Sequence, residues 1–550
     1  MPYTMHQPAK ILSCLLLCAF CVFAQAQRTV PSNYPSNITV NYIRTWDAKA
    51  PEQNANTLMT RPLRDVQQTT QYFDGLGRPL QTVVKQGSYP TGGTAVDMVS
   101  MVEYDAFGRE VFKYLPTATT ATDATKNDGK FKLNPFAQQA AFYNSASSTS
   151  PIAGQNETFF YSQTNFEASP LNRVQEQFAP GNSWVGTSAQ ATEANRKSVK
   201  IKYYVNTEAD DIKKWYVTVS TKPGNFSSYL MTGAYAPGAL YKIITIDEHG
   251  KQVIEFKDKE GKLVFKKVQV SAAPDDGSGA GYTGWACTIY GYDDLGNLRV
   301  CTQPEGVQRL YETNWELPSA ELGTFMEERI FRYEYDQRNR MIVKKVPGAN
   351  PVYMVYDARD RLVMTQDGKQ RALSPQMWLT TSFDELNRPV QTGEIKATYS
   401  VISGKTFNQI LTAAYSSTAY PFNPASPPSA TYYTLLTQTG YDNYDGMSAA
   451  GSPLTKDFDN TYNNSAYIHT TYNTSPLYAQ PLTQSFQTKG LPTWTKVRIL
   501  GYNYYEYTVN IYDDKARAIQ VKKRNYSGGI SVITTQNNWA GQPLRTVQMH

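Results

Sequence analysis

Apolar and polar residues alternate singly along much of this 550-residue chain, and one short phrase keeps interrupting the alternation. In YFDGLGRPLQTVV, residues 72–84, an aromatic precedes an acid. Glycine stands three positions after that acid, a cation four after, and an apolar residue six after. The phrase returns as EYDAFGREV from Glu103, TIDEHGKQV from Thr245, FKDKEGKLV from Phe256 and YDDLGNLR from Tyr292. It returns again as YDQRNRMI from Tyr335, YDARDRLV from Tyr356, FDELNRPV from Phe383, YDDKARAI from Tyr512 and, most divergent, NNWAGQPL from Asn537.

Aligned on the acid, the copies carry Asp74, Asp105, Asp247, Asp258, Asp293, Asp336, Asp357, Asp384 and Asp513, with Asn538 in the last. Three residues on stand Gly77, Gly108, Gly250, Gly261, Gly296, Asn339, Asp360, Asn387, Ala516 and Gly541. All but Ala516 are residue types that tolerate positive φ. An acid at the first turn position and a left-handed residue where the next strand begins predict a type I turn closed by a bulge. The apolar position six after the acid is filled in every copy except the one with Arg299. Aromatic, polar tip and apolar residue then describe a hairpin with one buried face. Pro79, Pro389 and Pro543 share one slot after the turn. Proline donates nothing to a ladder, so that slot is expected to be edge-like or unpaired. A single Asp–Arg pair could do acid–base chemistry; ten copies of the phrase cannot all be catalytic, so the motif reads as architecture.

Between Asp105 and Asp247, and between Asp384 and Asp513, the phrase is absent and other structure is expected. NPFAQQAAFY offers Asn134 as cap and Pro135 at a helix start, and SPLNRVQEQF offers Ser169 and Pro170 in the same roles. The layout reads as a signal peptide over 1–27, a β-rich region with two short helices over 28–235, and an array over 236–396. A Tyr/Asn/Thr-rich insertion over 397–494 and the last copies over 495–550 follow. The fold class is all-β: hairpins forming a large curled sheet or partial β-shell, with a few short helices.

Composition agrees with a turn-rich β chain: Gly 35, Pro 31, Tyr 40 and Phe 22. A charged fraction of 18% and a hydrophobic fraction of 41% exclude global disorder. The net charge of +6 is dispersed. Its densest run, Lys522, Lys523 and Arg524, reads as a solvated strand face, so no nucleic-acid partner is expected. Lys10, the apolar run ILSCLLLCAFCVFA and QAQ form a signal peptide cut after Ala26 or Gln27. Leu17 and Phe20 precede Cys18 and Cys21, where lipidation would need a small residue. No transmembrane segment follows, so the chain is expected in the cell envelope or secreted. Cys14, Cys18 and Cys21 leave with the signal. Cys287 and Cys301 then flank one hairpin; if Asp293 pairs with Asn297, the two are diagonal neighbours on one face. A disulfide is permitted in an oxidising compartment, and the alternative is two small buried residues.

YDAFGR resembles the Y-D-x-x-G-R repeat of the RHS/YD-repeat family, and residues 235–550 are similar to its arrays. The tract NYIRTWDAKAP…QYFDGLGRPLQTV resembles the DUF6443-like region that precedes such arrays, over roughly residues 38 to 180. The resemblance implies a long sheet spiralling into a hollow shell around a C-terminal toxin or effector, which self-cleavage releases. The D-P-x-G-L core motif is not found here. The chain therefore resembles an N-terminal half or truncated member, without toxin or autoproteolytic activity of its own. It stops at His550 just after a copy, so the expected partner is a downstream RHS polypeptide or effector domain that covers an open edge.

Candidate chemistry outside the repeats is sparse. His6, His249, His469 and His550 offer no pair at ligand spacing. Asp275 with Asp276, and Asp457 with Asp459, are the two spots where calcium could be sought, without a loop spacing that would secure it. No cofactor, metal or catalytic residue is assigned. The rival to a non-enzymatic scaffold is a cell-surface adhesin that binds glycan through Tyr441, Tyr444, Tyr462, Tyr467 and Tyr472.

Overall fold

The computed structural model describes residues 30–88, 94–119, 125–144, 146–148, 150–182, 184, 197–271, 278–470 and 478–550. The expected signal peptide, Asp275, Asp276 and Tyr472 lie outside these residues. The chain is mostly β, with antiparallel sheets and a few short helices. Among the described residues no helix is long and apolar enough to cross a membrane. Two compact units emerge: Met1–Asp47, Ala55–Lys202 and Ile244–Gln252 in the first, Ala48–Asn54, Tyr203–Ile243 and Val253–His550 in the second.

In the first unit the strands Asn41–Ala48, Val66–Phe73, Pro79–Ser88, Val96–Met101 and Thr117–Ala118 form one sheet in that order. Its centre is an ion pair. Asp97 and Lys132 are fully buried with Oδ2 and Nζ 2.7 Å apart. The remaining valences of Asp97 accept the backbone N–H groups of Gln86 and Gly129, each at 2.8 Å. A buried carboxylate so fully hydrogen-bonded is tolerated where an unpaired one would not be. Tyr72, Val83 and Val99 form a buried apolar cluster in the same unit, with Phe131 packed against it.

The first expected helix forms as Pro135–Phe142, with Asn134 at its N-cap and Pro135 in its first turn. The second does not. Ser169, Pro170 and Leu171 lie in a bend and turn, and Val174–Phe178 is a strand. Glu167 overrides the helix signal. Its N–H bonds to the Arg173 carbonyl at 2.9 Å and its carboxylate takes the Arg173 guanidinium. Asn172 supplies the left-handed residue, at φ 51. EASPLNR is thus a further copy of the recurring phrase with a longer tip.

In the second unit, sixteen strands from Gln252–Lys257 to Pro543–Met549 each pair antiparallel with the next in sequence. Segments between them fold onto the sheet. The hairpin Lys213–Thr218/Ser228–Ala234 sets Trp215 over Gly291, where a Cβ would come within 2.7 Å of the Trp215 Cβ. The Trp215 indole donates to Thr302 Oγ1 at 3.0 Å. The helix Phe407–Tyr415 adds Ile410, Leu411 and Ala414 to the core built by Ile342, Val343, Val355 and Trp378.

One register rule recurs in the hairpins. The residue before the acid faces the fifth residue after it, but the residue two before faces the seventh. Phe73 faces Pro79 and Tyr72 faces Gln81; Tyr335 faces Met341 and Glu334 faces Val343. The skipped sixth residue is a β-bulge, which turns two successive side chains to one side. Ile342 with Val343, and Val363 with Met364, are accordingly buried as pairs. The prolines start strands instead of lying unpaired: Pro79 faces Phe73, Pro389 faces Phe383 and Pro543 faces Asn537. The slot lies between the turn and the bulge, at a strand's first residue, where a missing N–H is tolerated.

The bulge also corrects the cysteine geometry. Asp293 does pair with Asn297, but past the bulge Cys301 faces Tyr290 and not Ile289, the partner that counting outward from that pair gives. That single step puts Cys301 and Cys287 on opposite faces of the sheet. Both are free, buried thiols. Burial pushes Cys287 up to about 12 and Cys301 up to about 11. Native protein is therefore expected to resist a thiol reagent such as DTNB at pH 8, and the denatured mature chain to release two equivalents without prior reduction. A Cys287–Cys301 linked peptide in a non-reducing digest would contradict this register.

Candidate functional site: the turn ladder

The repeated acid is held the same way in copy after copy, and Asp357 shows how. Its N–H bonds to the Arg361 carbonyl at 3.0 Å, and the Asp360 N–H returns to the Asp357 carbonyl at 3.1 Å. Oδ1 accepts the backbone N–H groups of Arg359 and Arg361 at 2.9 and 3.0 Å. Oδ2 takes the Arg361 guanidinium through Nε at 2.8 Å and Nη2 at 2.6 Å. Asp360 carries the positive φ, at 61. One oxygen therefore closes the turn and the other anchors a cation, a charge-assisted bidentate arrangement.

Asp74–Arg78, Asp105–Arg109, Asp336–Arg340, Asp384–Arg388 and Asp513–Arg517 repeat both halves. Asp247 and Asp258 keep the backbone half with lysine in the cation slot. Gly77, Gly108, Gly250, Gly261, Gly296, Asn339, Asn387, Ala516 and Gly541 all have positive φ. The exception at Arg299 now has a cause. Asn297 occupies the cation slot of its copy, so the guanidinium reaches Asp293 from the bulge position, at 2.7 Å, and also pairs with Glu334. Asn538 gives a neutral version, its side-chain amide pairing with Gln542.

Six arginines then reach forward over a ring, while Arg517, with Asn537 ahead of it in place of an aromatic, donates to the Asn538 carbonyl at 2.7 Å. Arg78 lies over the ring of Tyr104 at 4.5 Å and Arg109 over Phe166 at 4.9 Å. In the second unit Arg299 lies over Tyr335, Arg340 over Tyr356, Arg361 over Phe383 and Arg388 over Tyr441, all within 5.0 Å. Every one of these rings is the aromatic that precedes the next copy's acid. The tyrosines answer backward. Tyr104, Tyr292, Tyr335 and Tyr441 donate their hydroxyls to the carbonyls of Pro79, Leu263, Leu298 and Pro389, the fifth residue after the preceding acid. At Tyr104, Tyr335 and Tyr441 consecutive turns are thus joined by both a cation–π contact and a hydrogen bond, and at Phe166, Tyr356, Phe383 and Tyr292 by one of the two.

Tyr441 exposes a partial copy that the sequence pattern missed. Asp442 takes Arg388 bidentately at 2.9 and 2.6 Å and accepts the Gly490 N–H at 2.6 Å, while residues 443–487 replace its turn. The dipeptide Tyr441–Asp442 was its only signal. Of the proposed glycan-binding tyrosines, Tyr441 belongs to this ladder and Tyr444 is buried, its hydroxyl on the Asn510 carbonyl at 2.6 Å. Tyr462 and Tyr467 pack edge to face, with Tyr467 exposed. Among the described residues these tyrosines are therefore not gathered into one platform, and Tyr472 lies outside those residues.

A second motif also escaped the sequence pattern. Gln81, Gln391 and Gln520, each seven residues after an acid, are buried where other copies carry Phe265, Val300, Val343 or Met364. Each donates its amide to the backbone of a segment crossing the sheet: Lys132, Pro424 and Asp459 respectively. Gln81 and Gln520 also accept the N–H of the residue they hold. Lys522 joins them, its Nζ on Thr455 Oγ1 and the Asp457 carbonyl. The basic run is therefore not one solvated face: Lys522 is buried, while Lys523 pairs with Glu506.

The remaining candidates are scattered. His249 is an exposed turn tip whose N–H bonds to Asp247. His469 is pinned through its backbone by Gln536. Asp459 caps Thr461, and among the described residues no group of three or more His, Cys, Asp or Glu could hold a metal ion.

Electrostatics follow the same logic. Burial alone would raise the Asp336 carboxyl, yet Arg340, the turn's backbone N–H groups and the Tyr415 hydroxyl hold it below the usual range. Asp384 is lowered in the same way against its burial. Arg173 and Ser169 hold Glu167 down at about 2, from 4.5. These groups bind protons more weakly folded than unfolded, so their stabilisation is complete above the unfolded values and lost as pH falls toward the folded ones. The unfolding midpoint is expected to stay flat from about pH 7 to about pH 5 and to fall between about pH 4.5 and about pH 2. Asp357→Asn and Asp357→Ala both take the anion from Arg361, but only asparagine keeps an acceptor for the two turn N–H groups. Urea unfolding should show the alanine variant about 1 kcal/mol less stable than the asparagine variant; equal losses would contradict the division of labour between the two oxygens.

Comparison with known proteins adds a boundary to this picture. Residues 44–198 match the family described as Domain of unknown function (DUF6443). No curated protein matches the sequence. Among solved structures, the TcdB2–TccC3–TEV crystal structure superposes with a TM-score of 0.44 at 11% identity, over 98% of this chain and 20% of that one. The TcdB2–TccC3 crystal structure gives 0.41 at 11% identity, over 96% of this chain and 21% of that one. The Tc holotoxin pore of Photorhabdus luminescens gives 0.36 at 13% identity, over 89% and 22%. The chain spans about a fifth of the length of these structures.

Proposed function

We propose that the chain is a non-enzymatic scaffold of the RHS/YD-repeat kind, exported to the cell envelope or beyond. Its sheet would form part of a β-shell that encloses or presents an effector carried by a downstream polypeptide. One observation carries this reading: the recurring acid and arginine, the residues best suited to chemistry, are consumed by holding a turn and joining it to the next. Such a unit propagates by addition, since a copy such as Tyr356–Arg361 presents a ring to the arginine before it and an arginine to the ring after it. The inserted segments support the same role. Glutamines at a fixed place in the repeat fasten them across the sheet through backbone contacts, which makes the sheet a frame for other polypeptide. The rival reading, glycan binding by the Tyr-rich insertion, loses Tyr441 and Tyr444 to internal contacts.

Co-expression with the polypeptide encoded immediately downstream tests the proposal. The two chains are expected to co-purify and to elute together by size exclusion, with the partner protected from a protease that degrades it alone. Separate elution with full susceptibility of the partner would overturn the scaffold role.

A further inference from the structure

The hairpin ends opposite the turn ladder carry a group of exposed apolar side chains. Residues 499–504 link the strands Thr488–Arg498 and Tyr505–Tyr512, and residues 525–529 link Ala518–Arg524 to Ile530–Asn537. The register makes these two tips neighbours, and the rings of Tyr502 and Tyr526 meet at 5.6 Å with a tilt of 59°. Leu500 is 76% exposed, Tyr504 64%, Tyr526 58% and Tyr502 52%, with Ile530 exposed beside them on the face that carries Arg498 and Arg524. A contiguous patch of this kind on a folded chain marks contact with something else.

The tips are built rather than loose. Ile499 N–H bonds to the Tyr504 carbonyl at 3.0 Å and Tyr502 N–H to the Ile499 carbonyl at 3.1 Å. Asn525 N–H bonds to the Gly529 carbonyl at 3.0 Å, with Gly501 and Gly528 supplying the left-handed residues. Pre-formed tips lose little conformational freedom on binding. Their composition of Tyr, Asn, Ser and Gly flanked by arginine is that of a recognition surface.

Charge selects the partner. In the turn ladder Arg78, Arg109, Arg340, Arg361, Arg388 and Arg517 all have a carboxylate. At the opposite end, among the described residues, neither Arg498 nor Arg524 forms an ion pair. Arg498 contacts only neutral groups, Asn503 Oδ1 and the Tyr505 hydroxyl. Two uncompensated guanidinium groups beside three exposed tyrosines fit carboxylates presented on an apolar surface. Leu500 and Ile530 favour polypeptide over polysaccharide, because an aliphatic side chain gives a sugar hydroxyl nothing to bond.

We propose that the tips 499–504 and 525–529 form a docking surface for an acidic polypeptide, with Tyr502, Tyr526 and Leu500 as apolar anchors and Arg498 and Arg524 as carboxylate partners. The surface is independent of the scaffold role, because no residue of it belongs to the turn ladder. The test is biolayer interferometry on the full chain with three probes: a random glutamate–tyrosine copolymer, polyglutamate and heparin. The copolymer is expected to bind more tightly than polyglutamate. Tyr502→Ser with Tyr526→Ser, and separately Arg498→Gln with Arg524→Gln, should each weaken it about tenfold or more without moving the thermal midpoint. Failure of the parent chain to bind the copolymer, or unchanged binding by both double variants, overturns the proposal. Heparin binding as tight as the copolymer's, weakened only by the arginine variants, would also overturn it and mark a general polyanion site.

Discussion

A carboxylate has two oxygens, and this chain depends on using them for different things. One oxygen satisfies two backbone N–H groups that a tight turn leaves without partners. The other holds a guanidinium against the start of the following strand. Because the guanidinium is planar, its face remains free while its edge is engaged, and that face covers the aromatic ring of the next turn. A local capping contact thereby becomes a contact between neighbours in the sheet. After Asp247 the next copy has Lys257 in place of a ring; after Asp258 the lysine satisfies the turn but lacks the planar face, and Tyr292 is joined through its hydroxyl alone.

The bulge is the second constraint, and it follows from the first. Closing the turn on the acid leaves one residue too many before regular pairing resumes. The sheet absorbs it at the sixth position, so two successive side chains enter the core. Where the seventh residue is Val, Phe or Met, the pair packs as core. Where it is glutamine, the same inward direction delivers an amide that can fasten a crossing backbone. Core and fastening are thus alternative uses of one position, chosen by one residue.

Much of this was legible in the sequence, because a turn is a local object. The acid, the left-handed residue and the flanking aromatics recur at fixed spacing, and the all-β class followed from them. The same locality explains the misses. Glu167 was hidden because a longer tip displaces Asn172 from its usual distance, and the Ser169–Pro170 pair mimicked a helix start. Asp442 was hidden because an inserted segment replaces its turn. The cysteines were misplaced because counting outward from Asp293 omits the bulged residue, and a one-residue step exchanges the faces of a sheet. The partners of Gln81, Gln391 and Gln520 lie far along the chain, where no spacing rule reaches.

The central claim is that the arginine couples successive turns, and a double-mutant cycle at Arg361 and Phe383 measures that coupling. Arg361→Lys, Phe383→Leu and the combination are compared by urea unfolding, the lysine preserving charge and the leucine preserving bulk. The account predicts a coupling energy of about 1 kcal/mol, because each single change removes the same stacked contact. Strictly additive losses would mean that the ring and the guanidinium are neighbours without interaction, and would contradict it.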